Sequence, residues 1–244
     1  MAQRGFHEPG EKPKRFYTAV TVEPCEAGFQ VLLDGRSPRS SKGAKLSAPT
    51  PALAQMMADE WAGQGDFIDL AGMNASRLGF TAIEAVPQAR DQVAQQFADY
   101  AGSDVICYFA ETPSTLVARQ TQAWVPVLER VEAELGLSFI RATGIRHQAQ
   151  PKATLLGVKF LALDHNDFGL AGLAFGAPLF GSALLTLALA QGWMSGEAAF
   201  ALSRVDDAFQ EEKWGIDDEA AERTARLTRE AQMLGHWFEA LKPV

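Results

Sequence analysis

The segment AAFALSRVDDAFQEEKWGIDDE, residues 198–219, combines an apolar stripe with a group of carboxylates. Its apolar residues recur at i, i+4, i+7 and i+11, and they are Ala198, Leu202, Val205 and Phe209. This spacing places them on one face of an α-helix. Trp214 and Gly215 follow, and a glycine commonly ends a helix. The segment therefore predicts a helix that packs on one face and carries charge on the other.

The charged face of this predicted helix has three possible uses. Its acidic residues, from Asp206 to Glu219, are interleaved with Arg204 and Lys213. Carboxylates one helical turn apart can hold a divalent cation or act as an acid–base pair. Helix surfaces and helix N-termini also carry such charges without any further function. A solvated or capping face, a partner-binding face and a metal or catalytic site are all compatible with this pattern.

The composition is that of a globular protein. The chain has 244 residues, of which 47% are apolar, and this suffices for an ordinary core. Its net charge of -8 argues against sequence-independent binding to nucleic acid or to an anionic membrane, since both favour surplus Lys and Arg. Two cysteines are too few for a disulfide framework, and Cys107 lies in the apolar run VICYF, which predicts that it is buried.

Strand and turn signals dominate the N-terminal part of the chain. Residues 16–22 and 29–33 predict two strands. The pair Asp34-Gly35 predicts a tight hairpin turn after the second strand, and residues 36–40 are then expected to form a third. These patterns indicate a small antiparallel sheet.

A mobile arm and a helix flank this predicted sheet. Residues 1–14 are polar and contain Gly and Pro, which is typical of a mobile arm. Thr50 followed by Pro51 predicts a capped helix start, and Leu53, Met57 and Trp61 lie on the side that the helix would bury. The N-terminal domain is therefore expected to be a sheet with one helix.

Helical patterns dominate the rest of the chain. Helices are predicted over residues 88–100, 113–135, 152–163, 182–191 and 217–241. Pro126 is expected to kink or restart the second of them, and Asp217 is expected to cap the last. The run DVICYF, residues 104–109, remains ambiguous between a short strand and other structure.

One uncharged run is long enough to cross a bilayer. Residues 168–196 contain no charged side chain over 29 positions. Several glycines and Pro178 interrupt the run, and Asp167 and Glu197 flank it in place of basic anchors. We therefore expect no stable membrane insertion, and we interpret residues 182–191 as the central helix of a bundle, apolar on all sides.

The sequence contains none of the common catalytic signatures. It has no phosphate-binding glycine loop, no nucleophile elbow and no zinc-binding H-E-x-x-H. Its four histidines are scattered singly, so none pairs with another at ligand spacing. No cofactor is expected.

Seven short segments, in order along the chain, resemble the Atp12 family of chaperones. The C-terminal segment, residues 203–219, fits the pattern S-R-x-D-x-x-x-Q-x-x-x-W-G-x-D-x-E. The others are RFY at 15–17, GFQVLLDGR at 28–36, EWAGQ at 60–64, DVICYFAE at 104–111, QTQAWVP at 120–126 and GSALLTLALAQG at 181–192. The resemblance therefore covers nearly the whole chain.

This resemblance implies a function and a site. Members of the family hold the alpha subunit during assembly of the catalytic head of F-type ATP synthase, until the beta subunit replaces them, and they need no cofactor. Carried over residue by residue, the C-terminal pattern implies partner binding by Arg204, Asp206, Asp207, Gln210, Trp214 and Glu219. At Asp207 a family member would more often carry Glu, so this chain keeps the charge with a shorter side chain.

The expected location follows from the N-terminus and from the family. Residues 1–16 lack the apolar core of a secretory signal, and Glu8 and Glu11 fit a transit peptide poorly. A bacterial cytoplasmic protein is the simplest interpretation, and the mitochondrial matrix is the alternative if the source is a eukaryote.

Together these observations predict an α+β protein. A small N-terminal antiparallel sheet with a helix, residues 1–84, is joined to a larger C-terminal helical bundle, residues 85–244. The functional hypothesis is a monomeric assembly chaperone, and not an enzyme, that binds the alpha subunit. The alternative hypotheses are a metal-assisted hydrolase that uses the acidic cluster of residues 206–219 and a membrane-tethered factor.

Overall fold

The computed structural model describes residues 12–40, 42–144 and 146–242. The chain divides into two compact units, Met1–Phe80 and Thr81–Val244. The first contains a small antiparallel sheet and the second is mainly helical, so the predicted α+β class is confirmed. Most of the predicted mobile arm, residues 1–14, lies outside the described residues.

The sheet of the first unit has three antiparallel strands. They are β1 (Val20–Cys25), β2 (Gly28–Leu33) and β3 (Ser47–Ala48), paired in that order. Asp34 and Gly35 form the predicted turn, with φ of 47° and 77°, and Leu33 exchanges two backbone hydrogen bonds with Arg36 across it. The prediction of a strand over residues 16–22 was wrong in its bounds, because β1 begins at Val20.

The predicted third strand over residues 36–40 does not form. Pro38 has no N–H with which to continue a ladder. The backbone N–H of Val31 instead donates to the carbonyl of Leu46, at 3.0 Å, and β3 pairs with β2 just beyond it. The strand beside β2 therefore comes from a later part of the chain than the turn signal indicated.

Helix α1 (Pro51–Ala62) confirms the predicted capped start. The hydroxyl of Thr50 accepts a hydrogen bond from the N–H of Leu53 at 3.2 Å. The carboxylate of Glu60 in turn accepts from the N–H groups of Ala75 and Ser76, each at 2.8 Å, in the first turn of α2 (Asn74–Glu84). Part of the EWAGQ segment thus has a structural role as a helix cap.

Within the described residues, the second unit contains the end of α2 and eight further helices. They are α3 (Val86–Ala101), α4 (Ser114–Leu135), α5 (Lys152–Asp164), α6 (Asp167–Phe180), α7 (Ala183–Ala190), α8 (Gly196–Ser203), α9 (Val205–Trp214) and α10 (Asp218–Ala240). Pro126 was expected to kink or restart the helix, and the restart does not occur, because α4 continues through it. The ambiguous run DVICYF forms a 3-10 turn (Val105–Cys107) and a strand, β4 (Tyr108–Phe109), which pairs in parallel with β5 (Ala142–Thr143).

Helix α7 is the centre of this unit. Residues 183–189 are all buried, as predicted for a helix that is apolar on every side. Gly176 of α6 allows close approach, since a Cβ there would lie 2.5 Å from a Thr186 methyl and 2.8 Å from a Leu234 methyl. Among the described residues, no helix combines the length and the apolar character that a membrane span requires.

A buried carboxylate holds the start of α7. Asp104 is fully buried, and its Oδ2 accepts a hydrogen bond from the N–H of Leu184 at 2.9 Å. The hydroxyl of Ser182 accepts from the N–H of Leu185 at the same helix end. Burial raises the pKa of Asp104 to about 6, against the effect of its hydrogen bonds from the Ser182 side chain and from backbone N–H groups such as that of Leu184, which favour the charged form.

Candidate functional site

Residues 198–214, for which the sequence predicted one helix, belong to two helices, α8 and α9. The break lies at Arg204, whose φ of -113° and ψ of 23° are not helical. Ala198 is exposed while its neighbour Ala199 is buried, so the predicted stripe holds only for Val205 and Phe209. The physical reason is that the two helices have different neighbours, because α8 packs on α10 and α9 packs on α4.

Arg204 ties α9 to α10. Its Nη2 donates to Glu211 Oε1 at 2.5 Å, and its Nη1 donates to Thr224 Oγ1 at 2.7 Å. Its Nε lies 3.3 Å from Asp207 Oδ2. Because the planar guanidinium binds three groups at once, Arg204 fixes the angle between the two helices.

Asp206 lies on the α4 side of α9. Its Oδ1 accepts a hydrogen bond from Gln120 Nε2 at 2.6 Å, and Gln120 Oε1 accepts from the N–H of Ala110 at 2.7 Å. Gln120 is only 1% exposed. Asp206 is therefore a packing partner of the helical unit, and it is separated from the other predicted site residues.

The remaining five predicted site residues line one cleft of about 800 Å³. They are Arg204, Asp207, Gln210, Trp214 and Glu219. Apolar side chains from α6, α8 and α10 also line the cleft, and they include Leu179, Phe180, Phe200 and Leu227. The cleft thus combines an apolar lining with charged and polar groups from α9 and α10.

Trp214 stands at the end of α9, beside this cleft. Gly215, with a φ of 80°, ends the helix there, and Asp217 caps α10 as predicted by accepting from the N–H of Ala220 at 2.8 Å. Trp214 is 78% exposed, and Ile216 next to it is also exposed. A tryptophan so exposed is unusual, because its large apolar surface is normally buried.

Most of the acidic residues of this region have identified electrostatic or capping partners. Glu211 binds Arg204, and Glu212 forms a two-point salt bridge with Arg119 at 2.7 and 2.8 Å. The hydrogen bond from Arg119 lowers the pKa of the Glu212 carboxyl below its usual value. Within the described ranges, no group of three or more His, Cys, Asp or Glu side chains is placed to hold a metal ion.

Sequence reasoning missed several residues of this region. Arg119 binds Glu212 of α9, Thr224 binds Arg204, and Arg223 lines the cleft. The segment QTQAWVP marked Gln120, but its hydrogen bond to Asp206 spans 86 positions and has no local signal. Asp207 and Glu219, which the family pattern marked as site residues, are both exposed and line the cleft with Trp214.

The chain is similar to known chaperones in sequence and in structure. The family model for the ATP12 chaperone protein matches residues 14–132. Atp12 from Paracoccus denitrificans is 33% identical, with a TM-score of 0.87, over 94% of this chain and 99% of that one. The Atu1473 protein of Agrobacterium tumefaciens is 38% identical, with a TM-score of 0.89, over 94% of this chain and 87% of that one.

A mitochondrial relative is more distant. The mitochondrial protein atp12 of Schizosaccharomyces pombe is 23% identical over 225 residues, which is 86% of this chain and 76% of that protein. The Paracoccus match is sufficient by itself, because it exceeds 30% identity over almost the entire length of an Atp12 protein. The resemblance seen in the sequence motifs is therefore confirmed, and the chain belongs to the Atp12 chaperone family.

Proposed function

We propose that this protein binds the unassembled alpha subunit of the F-type ATP synthase catalytic head and passes it to the beta subunit. Membership of the Atp12 chaperone family supports an assembly role. The observation that carries the proposal is the exposed Trp214 beside a cleft with a partly apolar lining, in the segment that the family pattern covers. We assign the cleft between α9 and α10 as the surface that grips the partner.

Trp214 is suited to anchor this contact. Tryptophans dominate the binding energy of many interfaces, and removing one from the centre of an interface commonly costs about 2 kcal/mol or more. Trp214 and Ile216 present their apolar surface to solvent at the end of α9. Burial of this pair against the alpha subunit would remove that surface from water, while the apolar lining of the cleft accepts a side chain from the partner.

The carboxylates beside Trp214 would give the contact its selectivity. Asp207 and Glu219 are exposed, and the chain carries a net charge of -8. Basic groups on the alpha subunit would meet them during the encounter, which raises the association rate more than it raises the final affinity. Binding is therefore expected to weaken as salt is added.

The same surface is also suited to release of the alpha subunit. The cleft contributes an apolar lining and one protruding tryptophan, whereas permanent subunit contacts are usually large and strongly hydrophobic. A contact of this modest kind can be displaced when the beta subunit offers a more extensive interface. Gripping and releasing a polypeptide requires no bond chemistry, so a nucleophile or a cofactor has no role in the proposed function.

A capture experiment with a matched control tests this proposal. The tagged protein is used as bait in a lysate that contains unassembled ATP synthase subunits, and the retained chains are identified. We expect wild type to retain the alpha subunit and Asp207→Lys to lose it. Glu129→Lys reverses an exposed carboxylate on α4, away from the cleft, and should retain the alpha subunit like wild type. Equal retention by all three proteins would reject the cleft as the binding surface.

A further inference from the structure

The outer face of α5 is apolar and exposed. Leu156 is 50% exposed and Phe160 is 57% exposed, one helical turn apart. The opposite side of the helix is buried, through Thr154, Val158 and Ala162. With about 100° of rotation per residue, the residues on one face of roughly 120° are Lys152, Ala153, Leu156, Phe160, Leu163 and Asp164.

This face is self-complementary in sequence. Its residues form pairs that are equally distant from Val158, and these pairs are Leu156 with Phe160, Ala153 with Leu163, and Lys152 with Asp164. A two-fold axis places the same surface of both copies in contact, so each residue of such a pair meets the other on the second copy. Two antiparallel α5 helices would therefore match leucine with phenylalanine at the centre and lysine with aspartate at each end.

The end charges of α5 are available for this contact. Within the part of the chain that the structure describes, neither Lys152 nor Asp164 forms an ion pair, whereas Lys159 binds Asp91 of α3 at 2.8 Å. Leu156 and Phe160 do not line the cleft that holds Trp214. The face is therefore separate from the surface assigned to the alpha subunit.

We propose that a second copy of this protein docks on the outer face of α5, as an antiparallel helix pair centred on Val158. Helix α5 has 13 residues and is about 20 Å long, so the contact is smaller than a standard interface of about 1,600 Å². The dimer is accordingly weak and forms as the protein concentration rises. This differs from the monomer expected from the sequence. The residue spacing in α5 does not show that Leu156 and Phe160 are both exposed.

Sedimentation equilibrium over a range of protein concentrations tests for the dimer. Wild type should rise from the 26.4 kDa chain mass towards twice that value. Phe160→Glu places a charge at the centre of the contact and should raise the dissociation constant by about tenfold or more. Leu70→Glu is the matched control, because Leu70 is 48% exposed on the other unit and should leave the dimer intact. A wild-type mass that stays at one chain would overturn the proposal, and so would equal dimerisation by Phe160→Glu.

A charge swap tests the register. Lys152→Asp and Asp164→Lys each place like charges at both ends of the proposed contact, and each should weaken the dimer by about threefold to tenfold. The double variant restores opposite charges and should dimerise like wild type. A dimer that is unaffected by the single changes, or that the double change does not restore, would exclude the antiparallel pairing. Circular dichroism of each variant confirms that the fold is retained.

Discussion

Gln120 on α4 donates a hydrogen bond to Asp206 on α9 at 2.6 Å, across 86 positions of sequence. The neighbouring Asp207 points to the cleft instead, where its exposed carboxylate lies beside Arg204. Two adjacent aspartates thus have different surroundings, since one bonds to a buried side chain of α4 and the other lines the cleft. The sequence pattern treated them alike.

Removal of Asp206 should therefore destabilise the protein. Asp206→Ala leaves the amide of Gln120 buried without its acceptor, which costs about 1–3 kcal/mol in the free energy of unfolding. Asp207→Ala is the matched control, and its effect should stay within about 0.5 kcal/mol, as for most exposed substitutions. Urea unfolding followed by circular dichroism measures both. Equal effects of the two changes would contradict the distinction drawn between them.

Trp214→Ala should reduce binding without affecting stability. Because the side chain is 78% exposed, its removal should leave the urea midpoint unchanged. We expect the dissociation constant for the purified alpha subunit to rise by about tenfold or more. Phe16, which is 73% exposed in the other unit, provides the control Phe16→Ala. Titration calorimetry measures the affinity of both variants for the alpha subunit. The prediction fails if the two changes have the same effect on that affinity.

The stability of the fold should depend on pH through Asp104. Burial raises the pKa of this carboxyl from 3.8 to about 6, so the folded state binds its proton more tightly than the unfolded state does. The resulting stabilisation is fully present below pH 3.8 and is lost as the pH rises through about 6. At about 1.4 kcal/mol per pH unit, the loss is on the order of 3 kcal/mol.

Asp104→Asn removes this titration and serves as the test. The difference in unfolding free energy, variant minus wild type, should rise by about 2–3 kcal/mol between pH 4 and pH 7.5. Comparing the two proteins at each pH cancels the contribution of all other titrating groups. A difference that is constant with pH would show that Asp104 keeps the same charge state over this range.

Gly196 should not tolerate a side chain. A Cβ at this position would lie 1.8 Å from the carbonyl oxygen of Ala231, so α8 and α10 would have to separate. Gly196→Ala should cost about 1–3 kcal/mol in stability, as overpacking usually does. Gly65→Ala adds the same group where nothing lies within 4 Å, and it should be close to neutral. Thermal unfolding measures the stability of both variants. Equal unfolding midpoints for the two would refute the prediction.

The parts of the fold that depend on local chemistry were predictable. Thr50 and Asp217 cap their helices as expected, because a side-chain acceptor next to a helical pattern acts over three residues. Helix α7 was recognisable because its sequence is uncharged and apolar on every side. The structure shows that residues 183–189 are all buried. These features do not depend on contacts with residues that are distant in the sequence.

The errors arose where distant residues decide the structure. The helical pattern is interrupted at Arg204 because α8 packs on α10 while α9 packs on α4, and Arg204 itself bonds to Thr224, 20 positions away on α10. Likewise, Val31 bonds to Leu46, while the turn at Asp34 indicated a strand immediately after it. The family pattern placed five of its six site residues on the cleft. Asp206 instead bonds to Gln120 of α4, a contact that has no local signal in the sequence.

Size-exclusion chromatography of purified components tests the central claim most directly. The protein is mixed with isolated alpha subunit, and the beta subunit is then added to the complex. We predict that protein and alpha subunit elute together, and that the beta subunit releases the protein and takes the alpha subunit into a new complex. Separate elution of this protein and the alpha subunit at every concentration, or a complex that the beta subunit does not displace, would contradict a temporary grip on the alpha subunit.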